Sequence, residues 1–280
     1  MGIFDRLKRA WAAAGEDNVS ILAAGVAYYA FLAFVPLLAA IVLSYGLFAD
    51  PQMVADHITA LASRLPDSAA ELIGAQLESV VQTSGTAKGL GLLLALALAL
   101  VGARNGAGAL ITAITMAFND TRKRGFVRAN LLALGVTLGG ILGMGLVILA
   151  LSVTTALAGM VPGLSQGGVI AGRVASFAIL AAAGAGGAAW LYKRVPLETS
   201  PSFGTVMPGA LIASVGLVLL TAAFGYYVAN FGNYNATYGS LGAVVVLLTW
   251  LYLSAYVLLL GAEIAAAGVE TPAQQRAPGQ

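Results

Sequence analysis

Long apolar runs, separated by short polar connections, dominate the chain. The first run extends from Ile21 to Phe48 and contains no charged residue. At about 1.5 Å per residue, a helix of this length exceeds the roughly 30 Å hydrocarbon thickness of a bilayer. Five similar stretches follow, and the pattern predicts an all-α, polytopic membrane bundle of six transmembrane helices. The predicted spans lie near residues 20–48, 88–117, 127–160, 169–192, 204–230 and 239–267.

The first connection, residues 50–87, is the only long one. Apolar residues recur there at helical spacing before and after Pro66, and acidic residues occupy the opposite face. This predicts a short amphipathic helical hairpin on the external side. A structural lid is the favoured interpretation, and a substrate-gating lid is the alternative. Residues 1–268 are expected to form one membrane domain, followed by a flexible cytoplasmic tail at 269–280.

The composition supports a membrane protein and excludes several kinds of functional site. Apolar residues make up 59% of the chain and charged residues 9%, against roughly 25% charged residues in ordinary soluble domains. The absence of cysteine excludes disulfides and thiolate chemistry, and one histidine, His57, leaves little scope for imidazole chemistry. A net charge of +2 gives no basic stripe for nucleic acid. We expect no cofactor, no metal, no catalytic residues and no enzymatic activity.

The placement of lysine and arginine predicts the orientation. Six crossings put both termini on one side, and by the positive-inside rule the side rich in lysine and arginine is cytoplasmic. The other side has Arg64, Lys88 and, near a span end, Arg173. The start of the chain is expected to be a retained first span, capped by Asp17, Asn18 and Ser20, rather than a cleaved signal peptide. The residues on the basic side are Arg6, Lys8, Arg9, Arg122, Lys123, Arg124, Arg128, Lys193, Arg194 and Arg276.

Small residues repeat every four positions in three of the predicted spans. Close helix packing in lipid explains this spacing, and helices that slide during a transport cycle are the alternative. The repeats are Gly102 and Gly106; Gly135, Gly139 and Gly143; and Ala181, Ala185 and Ala189.

Two charged residues lie well inside the predicted spans, Arg104 and Glu263, whereas Lys88, Arg128 and Arg173 lie near span ends. An intramembrane arginine costs at least about 2.5–3.5 kcal/mol on insertion scales and by default marks a function. Arg104 is interpreted either as an anchor that reaches the inner head groups or as a buried functional charge. An ion pair between Arg104 and Glu263 is a further hypothesis.

Other positions are candidates because of their place in a span or loop. Pro36 is expected to kink span 1, either as a fixed packing feature or to expose carbonyls to a cavity. Tyr28 and Tyr29 suit interfacial anchors. Asn119 lies next to the basic loop that contains Arg122, which is expected to attract anionic phospholipid head groups.

Several segments, taken together, resemble the YihY / virulence factor BrkB family of bacterial inner-membrane proteins, once labelled ribonuclease BN. The resemblance covers about residues 15–268. It is most specific at Tyr238-Gly239-Ser240-Leu241-Gly242-Ala243. The other segments are Ala27-Tyr28-Tyr29 with Pro36, Ala113–Asn119 with Arg122 and Arg124, Tyr192, Pro196, Pro208-Gly209-Ala210, Trp250-Leu251-Tyr252 and Gly261-Ala262-Glu263.

The resemblance implies six spans and a location in the bacterial plasma membrane. Members often carry serine a few positions before the span-1 proline, where this chain has Ala33. Transport, export or flipping of a lipid or envelope-related molecule is the leading hypothesis. A structural protein that supports envelope integrity or serum resistance is the alternative. A nuclease acting through Asp120 or Glu263 is third. The expected partners are the bilayer, an unidentified lipid or small-molecule substrate and, in a homo-oligomer, further copies of the chain.

Overall fold

The computed structural model describes residues 3–48, 85–122, 124–140, 142–143, 166–231 and 240–269. All regular secondary structure within these ranges is helical, which confirms the predicted class for this part of the chain. The helices are α1 (Ile3–Glu16), α2 (Val19–Phe48), α3 (Gly85–Ala117), α4 (Phe126–Gly140), α5 (Gln166–Arg194), α6 (Phe203–Phe231) and α7 (Ser240–Ala266).

The described residues contain four helical segments that are long and apolar enough to cross a membrane. A fifth is reached if α1 and the start of α2, bent by 71° at a short break, count as one span. Six transmembrane helices therefore stay a prediction. The four segments are Gly89–Ala117, Val174–Arg194, Phe203–Val228 and Val244–Ala266.

Parts of the predicted architecture lie outside the described residues. They include most of the external segment 50–87, the tail 270–280 and the predicted third span, 127–160, beyond residue 143. The other five predicted spans agree with the observed helices within three residues at each end.

The N-terminal helix α1 was not predicted from the sequence. It carries apolar residues at helical spacing on one side and basic residues on the other, with Ala10 and Ala14 buried. Phe4 and Trp11 are 72% and 67% exposed, as expected for an amphipathic helix whose aromatic side chains reach a membrane interface. The chain turns into α2 at Asn18, whose φ of 52° is tolerated because asparagine visits the left-handed region more readily than most residues.

The chain divides into two compact units. The first, unit 1, comprises Met1–Ala24, Ala107–Ala223 and Leu253–Gln280, as far as the structure describes them. Its larger fully buried side chains include Ile114, Tyr192 and Val206. The remaining buried apolar residues are mostly alanine, which allows helix backbones to approach closely in lipid. They include Ala10, Ala23, Ala117, Ala210, Ala262 and Ala265.

Helices α6 and α7 cross at two glycines within unit 1. A Cβ placed on Gly209 would collide with the Gly261 carbonyl and would lie 2.7 Å from the backbone nitrogen of Ala265. A Cβ on Gly261 would lie 2.5 Å from the Cβ of Ala213. Only glycine fits at this crossing. The close contact between α6 and α7 fixes the height and rotation of the last two turns of α7, where Glu263 lies.

The second unit, unit 2, comprises Gly25–Gly106 and Phe224–Tyr252, as far as they are described. Here α3 packs on α2 through the glycines predicted for close contact. A Cβ on Gly102 would lie 2.8 Å from the Cα of Ala33, and Gly106 faces the backbone of Tyr29 and Ala30. The predicted close approach at this pair of glycines is therefore confirmed.

The small-residue faces of α4 and α5 behave differently. Ala185 and Ala189 are buried in unit 1. Gly135 has only the ring of Trp190 nearby, at 3.7 Å, and Gly139 has no described neighbour within 4 Å. The spacing of small residues alone did not predict which of these faces pack against a helix.

Candidate functional site

The end of α3 is shaped by asparagine in a left-handed conformation. Asn119 has a φ of 50°, and its N–H donates to the carbonyl of Met116. The N–H of Asp120 donates to the carbonyl of Thr115. This pair of bonds is the Schellman ending of a helix, in which asparagine can replace glycine. The sequence-predicted residue Asn119 therefore has a definite structural role: it ends α3.

The buried carboxylate of Asp120 then joins two connections. One oxygen accepts the backbone N–H of Arg122 at 3.1 Å. The other accepts the N–H of Leu197 and, at 3.3 Å, the N–H of Glu198. The hydroxyl of Thr121 adds a bond to the Glu198 carboxylate at 3.0 Å. Asp120 therefore ties the segment after α3 to the segment between α5 and α6.

Two cationic contacts extend this junction. The guanidinium of Arg124 donates to the carbonyl of Arg194 at 3.3 Å. The Nζ of Lys193 lies 3.9 Å from the ring centroid of Phe203, which is within cation–π range. The basic connections after α3 and after α5 thus share one end of unit 1, as the sequence predicted. The compartment that they face stays a prediction.

A pocket of about 210 Å³ opens at this end of unit 1. Its walls come from α1, from the end of α3, from the connection between α5 and α6, and from the last turn of α7. Apolar side chains supply much of the lining, and four polar residues interrupt it. The residues that define it best are Arg9, Ala13, Phe118, Asn119, Thr199 and Glu263.

Glu263 is the central feature of the pocket. Its side chain is 2% exposed, and its carboxyl group lies within hydrogen-bonding reach of the Asp17 carboxyl. Among the residues that the structure describes, its Oε1 atom has no hydrogen-bond partner, and neither does the Oγ1 atom of Thr199. Buried polar atoms usually have a partner, because leaving one unsatisfied costs about 1–3 kcal/mol. The pocket therefore holds two polar atoms that lack a partner within the described structure.

The carboxyl pair is electrostatically unfavourable when both groups are ionised. Burial raises the pKa of Asp17 above its ordinary value of 3.8, the hydrogen bond with Glu263 opposes this shift, and the nearby charge of Glu16 adds to it. Asp17 therefore holds its proton to a higher pH than an exposed aspartate does. A proton or a cation between the two carboxyl groups relieves their repulsion.

A tyrosine braces the helix that carries Glu263. Tyr192 of α5 is fully buried, and its hydroxyl donates to the carbonyl of Leu258 at 2.5 Å. The same hydroxyl lies against Gly261, where a Cβ would come within 2.8 Å of it. Glu263 thus projects from a part of α7 that is held by both α5 and α6.

The structure distributes the sequence-predicted residues unevenly. Glu263 and Asn119 line the pocket, whereas Arg122 does not line it and donates its backbone N–H to Asp120, the residue after Asn119. Arg104 belongs to unit 2 and donates to the Asn105 side chain at 3.2 Å. The nearest acidic neighbour of Glu263 is Asp17, and the proposed pairing of Glu263 with Arg104 stays a prediction.

The remaining predicted positions lie away from the pocket or outside the described residues. Tyr28 and Tyr29 of unit 2 meet edge to face, with centroids 5.6 Å apart, and Tyr28 is 56% exposed. Helix α2 continues through Pro36. Ser240 is the first residue of α7, whereas Tyr238 and Gly239 lie outside the described residues.

The sequence did not predict two residues that line the pocket, Arg9 and Thr199, or Asp17, which neighbours Glu263. Arg9 served only as an orientation signal, Asp17 only as a cap, and Thr199 had no role. The amphipathic spacing of α1 was a usable signal for Arg9, because it predicts a helix that must cover something. No local pattern marks Thr199. Within the described residues, no group of three or more histidine, aspartate or glutamate side chains is placed to hold a metal ion.

Comparison with known proteins identifies the family. The family model for virulence factor BrkB matches residues 10–280. The UPF0761 membrane protein PSHAa0171 of Pseudoalteromonas translucida (strain TAC 125) is 29% identical over 262 residues, which cover 90% of this chain and 81% of that protein.

A second relative matches over a much shorter stretch. YfkH of Bacillus subtilis (strain 168), whose name describes it as ribonuclease-like, is 34% identical over 59 residues. That stretch covers 21% of this chain and 22% of YfkH. No solved structure matches. Because the family model spans almost the whole chain, the chain belongs to the virulence factor BrkB family of membrane proteins.

Proposed function

We propose that the protein transports, exports or flips a lipid or another envelope-related molecule across the bacterial inner membrane. One observation carries the proposal: the described part of a membrane protein contains a pocket with a buried carboxylate whose Oε1 atom has no partner. Maintaining such an atom costs stability, and intramembrane ionisable residues mark functional sites by default. Apolar walls with a few polar groups suit the boundary between a polar head group and its chains.

The arrangement of basic residues supports cytoplasmic termini. The connections after α3 and after α5 meet at one end of unit 1, and α1 lies at the same end, since Arg6 contacts Gly268 beyond α7. Both ends of the described chain therefore lie together, and an even number of crossings between them supports six spans. By the positive-inside rule this end faces the cytoplasm, where Arg122 is proposed to meet anionic head groups.

We also propose that the protein is not an enzyme. The ribonuclease-like name belongs to a relative that shares only a short stretch with this chain. The single histidine, His57, leaves little imidazole chemistry for phosphodiester cleavage. Cleavage of RNA by the purified protein, abolished by Asp120→Asn or Glu263→Gln, would contradict this part of the proposal.

The test is reconstitution of the full chain into liposomes that contain trace phospholipids labelled on one acyl chain. Added dithionite quenches only the outer leaflet unless labelled lipid crosses the bilayer. We expect quenching beyond that of protein-free vesicles, and slower quenching with Glu263→Gln. Asp5→Asn is the matched control, because Asp5 is an exposed carboxylate on α1 outside the pocket lining, and it should behave as the wild type.

Quenching no faster than in protein-free vesicles, across ethanolamine, choline and glycerol head groups, would count against lipid flipping. The structural alternative then gains weight. It predicts that Glu263→Gln restores envelope integrity and serum resistance to a deletion strain as well as the wild-type chain does.

A further inference from the structure

We propose that the pocket between α1 and α7 binds the zwitterionic head of a phosphoethanolamine-type amphiphile, with its ammonium group at Asp17 and Glu263 and its phosphate beside Arg9. This names the substrate class of the proposed function and rests on it. Three features carry the inference: an acidic pair that needs a positive partner, an arginine that lines the same pocket, and a volume that suits a small head group.

The acidic side of the pocket has three acceptors for one ammonium group. Among the described residues, neither the buried Oε1 atom of Glu263 nor the Oγ1 atom of Thr199 has a hydrogen-bond partner, and the Asp17 carboxyl lies within reach of the Glu263 carboxyl. A primary ammonium offers three N–H donors. It would balance the single negative charge of a carboxyl pair that keeps one proton, and it could also donate to the Thr199 hydroxyl.

The opposite charge is present but does not neutralise Glu263. Arg9 lines the same pocket, and yet among the described residues it forms no ion pair with Glu263 within 4.0 Å. Separated charges of opposite sign on the walls of one cavity complement a ligand that carries both. A guanidinium is suited to phosphate, since its donors match two phosphate oxygens at once.

The size of the pocket suits a small ligand. Its volume of about 210 Å³ exceeds the roughly 150 Å³ of an apolar cavity that binds benzene. A small polar head group fits this space. Ala13 and Phe118 leave part of the wall apolar, as a ligand with attached chains requires.

The number of N–H donors separates this ligand from its nearest relatives. A choline head carries the same charges but has no N–H group for Glu263 or Thr199. A glycerol phosphate head has no ammonium. Because a hydrogen bond to a charged group contributes about 1.5–3 kcal/mol, losing one weakens binding about tenfold or more.

The experiment measures binding to the full chain purified in detergent, by titration calorimetry with soluble phosphoethanolamine, phosphocholine, ethanolamine and inorganic phosphate. We expect phosphoethanolamine to bind about tenfold more tightly than phosphocholine. Ethanolamine or phosphate alone should bind more weakly still. A second arm measures which phospholipids co-purify from nanodiscs containing ethanolamine, choline and glycerol head groups. Retention of the ethanolamine lipid without binding of the soluble head means that the acyl chains contribute, and it supports the proposal.

Matched variants locate the site. Glu263→Gln and Asp17→Asn should each abolish the preference for ethanolamine over choline, and Arg9→Ala should abolish the preference for phosphoethanolamine over ethanolamine. Lys8→Ala removes an exposed neighbouring cation that does not line the pocket and should bind as the wild type. If Glu263→Gln fails to fold, Asp17→Asn provides the same test from α1.

Equal binding of phosphocholine and phosphoethanolamine, or a preference that survives Asp17→Asn, would overturn the inference. So would binding of ethanolamine as tight as that of phosphoethanolamine, because Arg9 would then have no role. Selective binding without lipid movement in liposomes refutes the proposed function and leaves the site intact. Lipid movement without selective binding of the ethanolamine head refutes the proposed site and leaves the proposed function intact.

Discussion

Replacing Gly261 by alanine should strongly destabilise the protein. The added Cβ would lie 2.5 Å from the Cβ of Ala213, 2.8 Å from the carbonyl oxygen of Gly209 and 2.8 Å from the hydroxyl of Tyr192. Ordinary contacts between such atoms are about 3.5–4.0 Å, so α6 and α7 must move apart. The first two atoms belong to a Cβ and to the backbone, and the Tyr192 ring is fully buried with its hydroxyl bonded to Leu258, so none of the three can move aside easily.

The magnitude combines two effects of that movement. Overpacking a close contact costs about 1–3 kcal/mol. The Tyr192 hydroxyl is already committed to the carbonyl of Leu258 at 2.5 Å, and displacing it costs about 1 kcal/mol more. At about 2–4 °C per kcal/mol for a chain of this size, the Gly261→Ala protein should melt about 4–16 °C below the wild type.

The assay is thermal unfolding of the purified protein in detergent, followed by intrinsic tryptophan fluorescence. Gly187→Ala is the matched control, because Gly187 lies in α5 with no described atom within 4 Å of an added Cβ. That variant should melt at or slightly above the wild-type temperature, since alanine is the better helix former. If Gly261→Ala and Gly187→Ala melt together, the crossing of α6 and α7 is not as close as described. The double variant Gly209→Ala/Gly261→Ala should lose less free energy of unfolding than the two single variants together, since each added Cβ forces the same two helices apart.

Three further predictions concern single side chains of unit 1. Asp120→Ala should speed proteolytic cleavage of residues 195–202, because their backbone loses a charged acceptor. Unchanged cleavage would contradict the role of Asp120 in holding this segment. Tyr192→Phe should lower the free energy of unfolding by about 1 kcal/mol in the same melting assay, since the bond to Leu258 is lost; a wild-type melting temperature refutes it. Because the pKa of Asp17 is raised, its ionisation favours unfolding, so wild-type stability should fall as pH rises from 3.8 through the raised pKa. Asp17→Asn should remove that decline, so the stability of the variant relative to the wild type should rise across this window and level off above it, in melts from about pH 3.5 to about pH 8; a constant difference across the series contradicts the assignment.

The helices of the fold were largely predictable. Apolar runs such as 204–230 are bounded by polar or basic residues, and a run of that length in lipid can satisfy its backbone only as a helix. The observed α6 ends within one residue of that prediction at both ends. Helix α1 was missed because charge dominates its composition, and its apolar stripe is visible only when the residues are placed on a helix.

The pocket was only partly predictable. The sequence singled out Glu263 as an intramembrane carboxylate, because few charges occur in such segments and each is costly. It suggested Arg104 as a partner, whereas the structure puts the carboxyl of Asp17 within reach of Glu263. Asp17 precedes the first span by two residues, and sequence patterns gave it only a capping role.

The sequence by itself determined that the chain belongs in a membrane and which segments are apolar and long enough to cross it, because both depend on hydrophobicity summed along a continuous segment. It also determined which connections are basic. Only the tertiary structure decided that Arg9, Thr199 and Glu263 line one pocket and that Gly209 faces Gly261. Those choices depend on the rotation and height of each helix against its neighbours. In lipid they are set by the shape of small side chains at the contact rather than by any net difference in hydrophobicity.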